Sequence, residues 1–464
     1  MVLPEKTSWM RAVVRHVRAW IAESAKRDAT IVLVILLLAV LTRIPYIHHP
    51  PNAVFDEAIY VSFVQHMLEE RPFFDIHPPF ARLLFARVAD ITPFDTQSAH
   101  MGKGAPFGDF PYVSLRLFVT LFGILLPLVL YALGRRLGYA PLAAMLPALL
   151  LVFDNAFVTY SRTILPDMIL LFFGFLGLLA TLETTKTQSG RTRWLLALLS
   201  GCALGLAVAT KWTALGMFGV VVVVYLFARM YREIAAVLCA TVIVYVAIFA
   251  LFFSYFPHGG KLDNVLTAYN VPWITEIELS AASLMKDPDI FLSFLAEYHR
   301  AMLRASRDPE IVEETRQVGD PILWPTAKLR MQFWDDGENG KIVLAGNTLL
   351  WPLSLFVLIF NIAWIAARYL REGIWGVDRT EGLLLIGYAM NYLPFFMIER
   401  SMYLYHYFAA ILFLFLLAPR VLLRIRECII LLTNDRAFAN AFLSLVGVLI
   451  VLNFVLLAPT TYGL

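Results

Sequence analysis

Cysteine is scarce in this sequence. The three present, Cys202, Cys239 and Cys428, are scattered, with neither the paired spacing of a disulfide framework nor the ligand spacing of a zinc site. Charge is scarce too: Asp, Glu, Lys and Arg make up 16% of the chain and leave a formal net charge of +3. That small excess lies in short clusters between apolar runs, so it gives no support to nucleic-acid binding. Also missing are a Gly/Ser linker, a low-complexity tract and a visible tandem repeat. Nothing in the composition therefore divides the 464 residues into separate soluble domains.

What the sequence has instead is apolar length. Hydrophobic residues make up 59% and the mean hydropathy is +0.70, outside the range of a soluble globular domain. Apolar runs near 29–47, 112–134, 141–153, 164–182, 194–210, 213–229, 234–256, 346–368, 380–398, 402–419 and 437–458 predict about eleven transmembrane helices. A closed barrel needs alternating strands, whereas a stretch such as Ile31–Leu41 is apolar on every face. The expected fold is thus an all-α integral membrane protein.

Basic residues set the expected orientation. Arg11, Arg15, Arg18, Lys26 and Arg27 precede the first run, and further clusters fall at Arg135-Arg136, Lys186 to Arg193, Arg229 to Arg232, Arg368 to Arg371 and Arg420 to Arg426. Every second connection is basic, so a cytoplasmic N-terminus satisfies the positive-inside rule at all of them. This divides the chain into a cytoplasmic segment, 1–28, a membrane module, 29–256, an external loop, 257–345, and C-terminal transmembrane helices, 346–464. The module carries its own external loop at 48–111. The first run follows a long basic stretch and lacks a small-residue cleavage site, so it reads as an anchor rather than a signal peptide.

Chemistry concentrates in the first external loop. Phe55-Asp56-Glu57 stands just before a helical pattern at Ile59, Phe63 and Met67. Asp56 reads equally as an N-cap or as a base working at the membrane edge, with Glu57 beside it. In Phe74-Asp75-Ile76-His77-Pro78-Pro79 the prolines force His77 into an extended conformation and suit a second surface helix through Leu83 and Val88. Asp75 and His77 fit a hydrogen-bonded corner as well as they fit direct catalysis. Arg116, Asp154, Arg162, Asp167, Lys211, Glu399, Arg400 and His406 lie within spans or at their ends, all expected on the same side. Charges there are costly unless paired or used. Acids and arginines at one end of an apolar bundle suit a substrate with an anionic head and a greasy tail, such as a polyprenyl phosphate. In the second external loop Trp324 and Trp334 read either as part of a lid over an acceptor or as interface anchors.

The order of these motifs resembles that of the protein O-mannosyltransferases. The residues carrying the resemblance are Arg43, Phe55-Asp56-Glu57, Phe74 to Pro79, Arg116 in Ser-Leu-Arg-Leu-Phe, Arg162 with Leu165-Pro166-Asp167, and Gly205 to Trp212. Glu297-Tyr298-His299, Ile322 to Pro325, Gly346-Asn347 with Trp351, and Tyr405-His406-Tyr407 continue it through the C-terminal half. The resemblance implies a GT-C glycosyltransferase fold with external amphipathic helices. It implies transfer of mannose from polyprenyl or dolichyl phosphate mannose to Ser or Thr hydroxyls of secreted or membrane proteins, with inversion. Asp56 would be the base, supported by Glu57. Arg43 and Arg116 correspond to the family's essential arginines, and Asp75, His77, Arg162, Asp167, Lys211, Arg400 and His406 are the further substrate-binding candidates. No metal or other cofactor is required by the resemblance.

The 257–345 loop is too short for the MIR domain of eukaryotic members, which favours a prokaryotic protein of the plasma membrane with its active site outside. A related transferase with a lipid or glycan acceptor, like the aminoarabinose transferases, would use the same acids and arginines. A secondary transporter would place its charges nearer the midplane in broken helices.

Overall fold

The structure is a computed structural model describing residues 26–94, 104–263, 277–279, 287–307, 319–337, 340–373, 378–398 and 402–464. Each of the eleven apolar runs is helical, but they are not equally long. Among the described residues, seven helices have the length and composition to cross a bilayer: Tyr112–Arg136, Asp167–Lys186, Gly190–Val208, Tyr231–Ser254, Leu350–Glu372, Leu404–Thr433 and Arg436–Tyr462. Counting the bent pair Pro141–Val152 and Asn155–Ser161 as one span gives eight, fewer than the eleven expected. The physical reasons are local. Asp154 breaks the third run with a 65° bend. The sixth yields only Leu215–Phe227 and the ninth only Arg379–Tyr392 before a tighter 3-10 turn. The first run is helical over 29–43.

Close packing depends on small residues. Gly201 and Gly205 line one face of Gly190–Val208, and a Cβ at either would come within 3.0 Å of the Tyr231–Ser254 helix. This small-xxx-small spacing lets two backbones approach until the Thr241 hydroxyl bonds the Gly201 carbonyl at 3.1 Å.

The basic ends of several helices meet at one end of the bundle. Asp28 pairs with Arg135 at 3.0 Å, Arg136 pairs with Glu183, and Arg420 reaches Asp378 at 3.1 Å while stacking over Tyr139. The described parts of the two long loops fold together at the other end. The first holds two helices, Glu57–Leu68 and Phe80–Asp90, separated by the rigid break around Pro78-Pro79. The second holds the helix Pro288–Ala305, a 3-10 turn Pro321–Thr326, and an antiparallel hairpin of Met331–Asp335 with Lys341–Leu344. Phe294, Tyr298, Ala301, Met302 and Ala305 are the buried stripe of Pro288–Ala305, at helical spacing, and Asp287 caps its start through the Asp289 N–H. The hairpin has no counterpart in the sequence reading.

Candidate active site

Asp56 and Glu57 are neighbours with different environments. Glu57 is fully buried, and both its oxygens are taken: Oε1 by Arg116 Nε at 2.9 Å and the Ile164 N–H at 2.9 Å, Oε2 by Arg116 Nη2 at 2.7 Å and the Val54 N–H at 2.8 Å. Asp56 is half-buried at the head of the helix, and its side chain makes no capping bond, so it does not serve as an N-cap. The residue before it, Phe55, is left-handed (φ 51°). That conformation is unfavourable for a bulky side chain and is held from outside. The Phe55 N–H donates to the Phe333 carbonyl at 3.0 Å, and the two rings stack at 4.5 Å with 4° between their planes. The hairpin thereby holds the backbone immediately before Asp56.

The buried arginines hold backbone. Besides Glu57, Arg116 donates to the carbonyls of Pro50, Asn52 and Ile47 at 2.8, 3.2 and 3.4 Å, beneath the rings of Phe107 and Tyr112. All five of its N–H groups have protein acceptors. Arg162 donates to the carbonyls of Arg43, Pro45 and Tyr46 and stacks on Tyr462 at 4.6 Å. Arg43 bonds Thr42 Oγ1 and the Leu151 carbonyl, while its Nε is buried without a partner. Asp75 pairs with Arg82, which also bonds the His77 carbonyl, and Asp75 Oδ1 takes the His77 N–H at 3.2 Å. Asp75 and the His77 backbone thus form a hydrogen-bonded corner.

A cleft opens beside Asp167, lined also by Leu170, Asn391, Phe395, Tyr405 and His406. Asp167 Oδ2 accepts from Lys211 Nζ at 2.8 Å and from the Tyr160 hydroxyl at 2.7 Å. The ammonium lies over the Tyr405 ring, 4.9 Å from its centre. Asp56 is within electrostatic reach of Tyr60 and Tyr405, so both acids border one group of phenols. Burial raises the Tyr60 phenol well above its ordinary pKa, Asp167 and Asp56 add to that, and Arg82 opposes it. Tyr60 therefore stays a neutral donor. The structure brings Asp56, Asp167, Lys211 and His406 to the neighbourhood of Tyr405. It leaves Arg43, Arg116, Arg162 and Asp75 in the supporting wall. Arg400, like Glu399, lies outside the described residues.

Sequence reasoning missed Tyr60, Tyr160 and Arg82. The helical spacing from Asp56 to Tyr60 carried a signal for the first. Trp324 and Trp334 are buried rather than exposed anchors, with 0% and 8% of their surface accessible. Arg300 and Arg330 are exposed, and Asp154 binds the Trp351 indole at 2.6 Å as a structural hub.

Two family models match the chain. The model described as dolichyl-phosphate-mannose-protein mannosyltransferase covers residues 33–263, and that described as the C-terminal four TMM region of protein-O-mannosyltransferase covers 291–464. Dolichyl-phosphate-mannose--protein mannosyltransferase 4 of Schizosaccharomyces pombe is 32% identical over 199 residues, 42% of this chain and 26% of that protein. Protein O-mannosyltransferase 1 of Drosophila pseudoobscura is 28% identical over 253 residues, 50% of this chain and 28% of that protein. The matches thus span about a quarter of these relatives' length. Among solved structures, the S. cerevisiae protein O-mannosyltransferase Pmt1-Pmt2 complex bound to the sugar donor superposes with a TM-score of 0.79 at 17% identity, over 95% of this chain and 92% of that one. ArnT from Cupriavidus metallidurans bound to undecaprenyl phosphate gives 0.52 at 16% identity, over 96% and 74%. The multi-pass helical architecture is the GT-C fold, and with both family models matched along its length the chain belongs to the protein O-mannosyltransferase family.

Proposed function

We propose that this protein transfers mannose from polyprenyl or dolichyl phosphate mannose to Ser or Thr hydroxyls of secreted or membrane proteins, at the end of the bundle that carries the two long loops. The observation that carries this reading is the division between adjacent acids: Glu57 is enclosed by four hydrogen bonds, while Asp56 stands half-buried near the cleft of Asp167, Tyr405 and His406. Asp56 takes the proton of the acceptor hydroxyl as its oxygen bonds the anomeric carbon from the face opposite the phosphate. The bond to the phosphate oxygen breaks, and the lipid phosphate leaves with the electron pair. Inversion in one step needs one base, and phosphate leaves without a general acid where a cation stabilises its charge.

Lys211 is the cation nearest that role, held by Asp167 beside the cleft, and His406 and Arg400 are further candidates for the donor. Arg43, Arg116 and Arg162 act by fixing the loop, as does the corner of Asp75 and His77. The donor's greasy tail stays in lipid. Family membership supports this substrate pair, and no metal or other cofactor enters the reaction as proposed.

The same reading puts the N-terminus in the cytoplasm of a prokaryotic cell and the site outside its plasma membrane. The clustering of Asp28, Arg135, Arg136, Glu183, Asp378 and Arg420 at one end supports it, since the basic connections then share one face.

The test is transfer of labelled mannose from polyprenyl phosphate mannose to a Ser/Thr-rich peptide by the purified full chain, beside Asp56→Asn. Loss of transfer in a folded variant that still binds donor supports both function and base. Equal labelling by the two proteins refutes Asp56 as the base, and label appearing only on a lipid acceptor refutes the protein acceptor.

A further inference from the structure

We propose that Tyr298 and His299, consecutive on the helix Pro288–Ala305, clamp the two halves of the site together, with His299 acting as a positioning residue for Lys211. The role in turnover rests on the transferase reading above, whereas the clamp itself rests on geometry. One prong is Tyr298, whose buried hydroxyl accepts the Asp75 N–H at 3.2 Å and whose ring packs on Phe74 at 5.4 Å. It thereby holds the first external loop at the Asp75 corner, downstream of Asp56.

The other prong is His299, and its hydrogen bonds have only one consistent direction. Nδ1 lies 2.7 Å from the Leu295 carbonyl, which can only accept, so Nδ1 carries the proton. Nε2 then accepts from the Tyr245 hydroxyl at 2.8 Å, and the Tyr245 oxygen in turn accepts the Trp212 indole N–H at 2.9 Å. The Trp212 and His299 rings also stack, 6.0 Å apart with 27° between planes. Trp212 is joined directly to Lys211, which is extended (φ −154°, ψ 144°) at the break between the helix Gly190–Val208 and the 3-10 turn Trp212–Ala214. At such a break the direction of Lys211 depends on what anchors Trp212. The anchor is the external helix, through Tyr245.

The helix of the second external loop therefore ties the loop carrying Asp56 to the turn carrying Lys211. Reacting groups must be placed closely, and a misplacement of about 1 Å costs on the order of a hundredfold in rate.

The clamp is tested on the full chain in detergent with His299→Ala, His299→Gln and Tyr298→Phe, first by hydrogen exchange, which needs no turnover. His299→Ala raises exchange at 208–214, Tyr298→Phe raises it at 72–77, and His299→Gln, whose carbonyl accepts from Tyr245, restores much of the protection. Wild-type exchange at 208–214 in His299→Ala overturns the clamp. Mannosyl transfer per folded molecule then reads positioning: His299→Ala lowers kcat at least tenfold, and His299→Gln recovers part of the loss. An opened segment with unchanged kcat overturns the positioning role. Wild-type protein that transfers no mannose refutes the proposed function and leaves the exchange result standing.

Discussion

Arg116 grips Glu57 side-on, with Nε 2.9 Å from one carboxylate oxygen and Nη2 2.7 Å from the other, and neither side chain is more than 1% exposed. Removing one partner leaves a buried charge without its counterion, a loss of about 3–5 kcal/mol. Glu57→Gln and Arg116→Ala are therefore expected to lower the melting temperature and the folded yield together with activity. Arg116→Lys rescues little, because an ammonium cannot reproduce the side-on fork or reach three carbonyls as well. Asp56→Asn, in contrast, is expected to melt near the wild type. Melting curves of the purified variants check this, and a stable but inactive Arg116→Ala would instead give Arg116 a direct part in the chemistry.

Much of this was legible in the sequence because lipid imposes a simple rule: long apolar runs must be helices, and charges at their ends stand out. That rule marked Arg116, Asp167 and Lys211. It could not say which charges are committed to each other. Arg116 and Arg162 look alike as isolated arginines at span ends, yet both turn inward to backbone carbonyls whose positions depend on how the 43–52 segment folds. The short helices Leu215–Phe227 and Arg379–Tyr392 were overestimated because apolar length does not reveal where a helix tightens or stops. The Phe55 and Phe333 contact joins residues far apart in sequence, and no local pattern announces it.

The pair of Lys211 and Asp167 gives a second prediction. Asp167→Asn leaves the Lys211 ammonium buried with Tyr160 and the Tyr405 ring but no counterion, so stability falls by about 3–5 kcal/mol. Lys211→Met paired with Asp167→Asn removes both charges and is expected to recover much of that stability without recovering transfer. Thermal melting beside donor binding separates the two effects. Tight donor binding by the folded double variant would rule out Lys211 as a phosphate ligand.

Docking of the Pro288–Ala305 helix should depend on pH through His299. Burial lowers the pKa of this imidazole from its ordinary 6.5, only partly opposed by the bond to the Leu295 carbonyl. Tyr245 bonds it, Trp212 and Phe249 face its ring, and Tyr298 precedes it on the same helix. Its contribution is fully present above pH 6.5. As pH falls through 6.5 toward the lower docked value, the undocked helix takes up a proton that the docked one refuses, and docking weakens by up to about 1.36 kcal/mol per pH unit. Hydrogen exchange across 288–305 is expected to rise between pH 7.5 and pH 5 in the wild type and to change less in His299→Gln. Identical pH dependence in both would assign the effect to another group.

The left-handed Phe55 makes the last prediction the most local. Its N–H bond goes to a backbone carbonyl and survives substitution of Phe333, whereas the ring stack does not. Phe333→Ala removes a ring that is 1% exposed, at a cost of about 3–5 kcal/mol, and frees Phe55 to leave an unfavourable backbone conformation. Asp56 follows in the chain, so its carboxylate turns away from the phenols of Tyr60 and Tyr405. Activity is expected to fall on the order of a hundredfold even at temperatures where the variant is fully folded. Phe333→Leu, which keeps most of the volume, should lose less. Steady-state transfer by both variants well below their melting points decides it: a wild-type kcat in Phe333→Ala would mean that the hairpin does not aim the base.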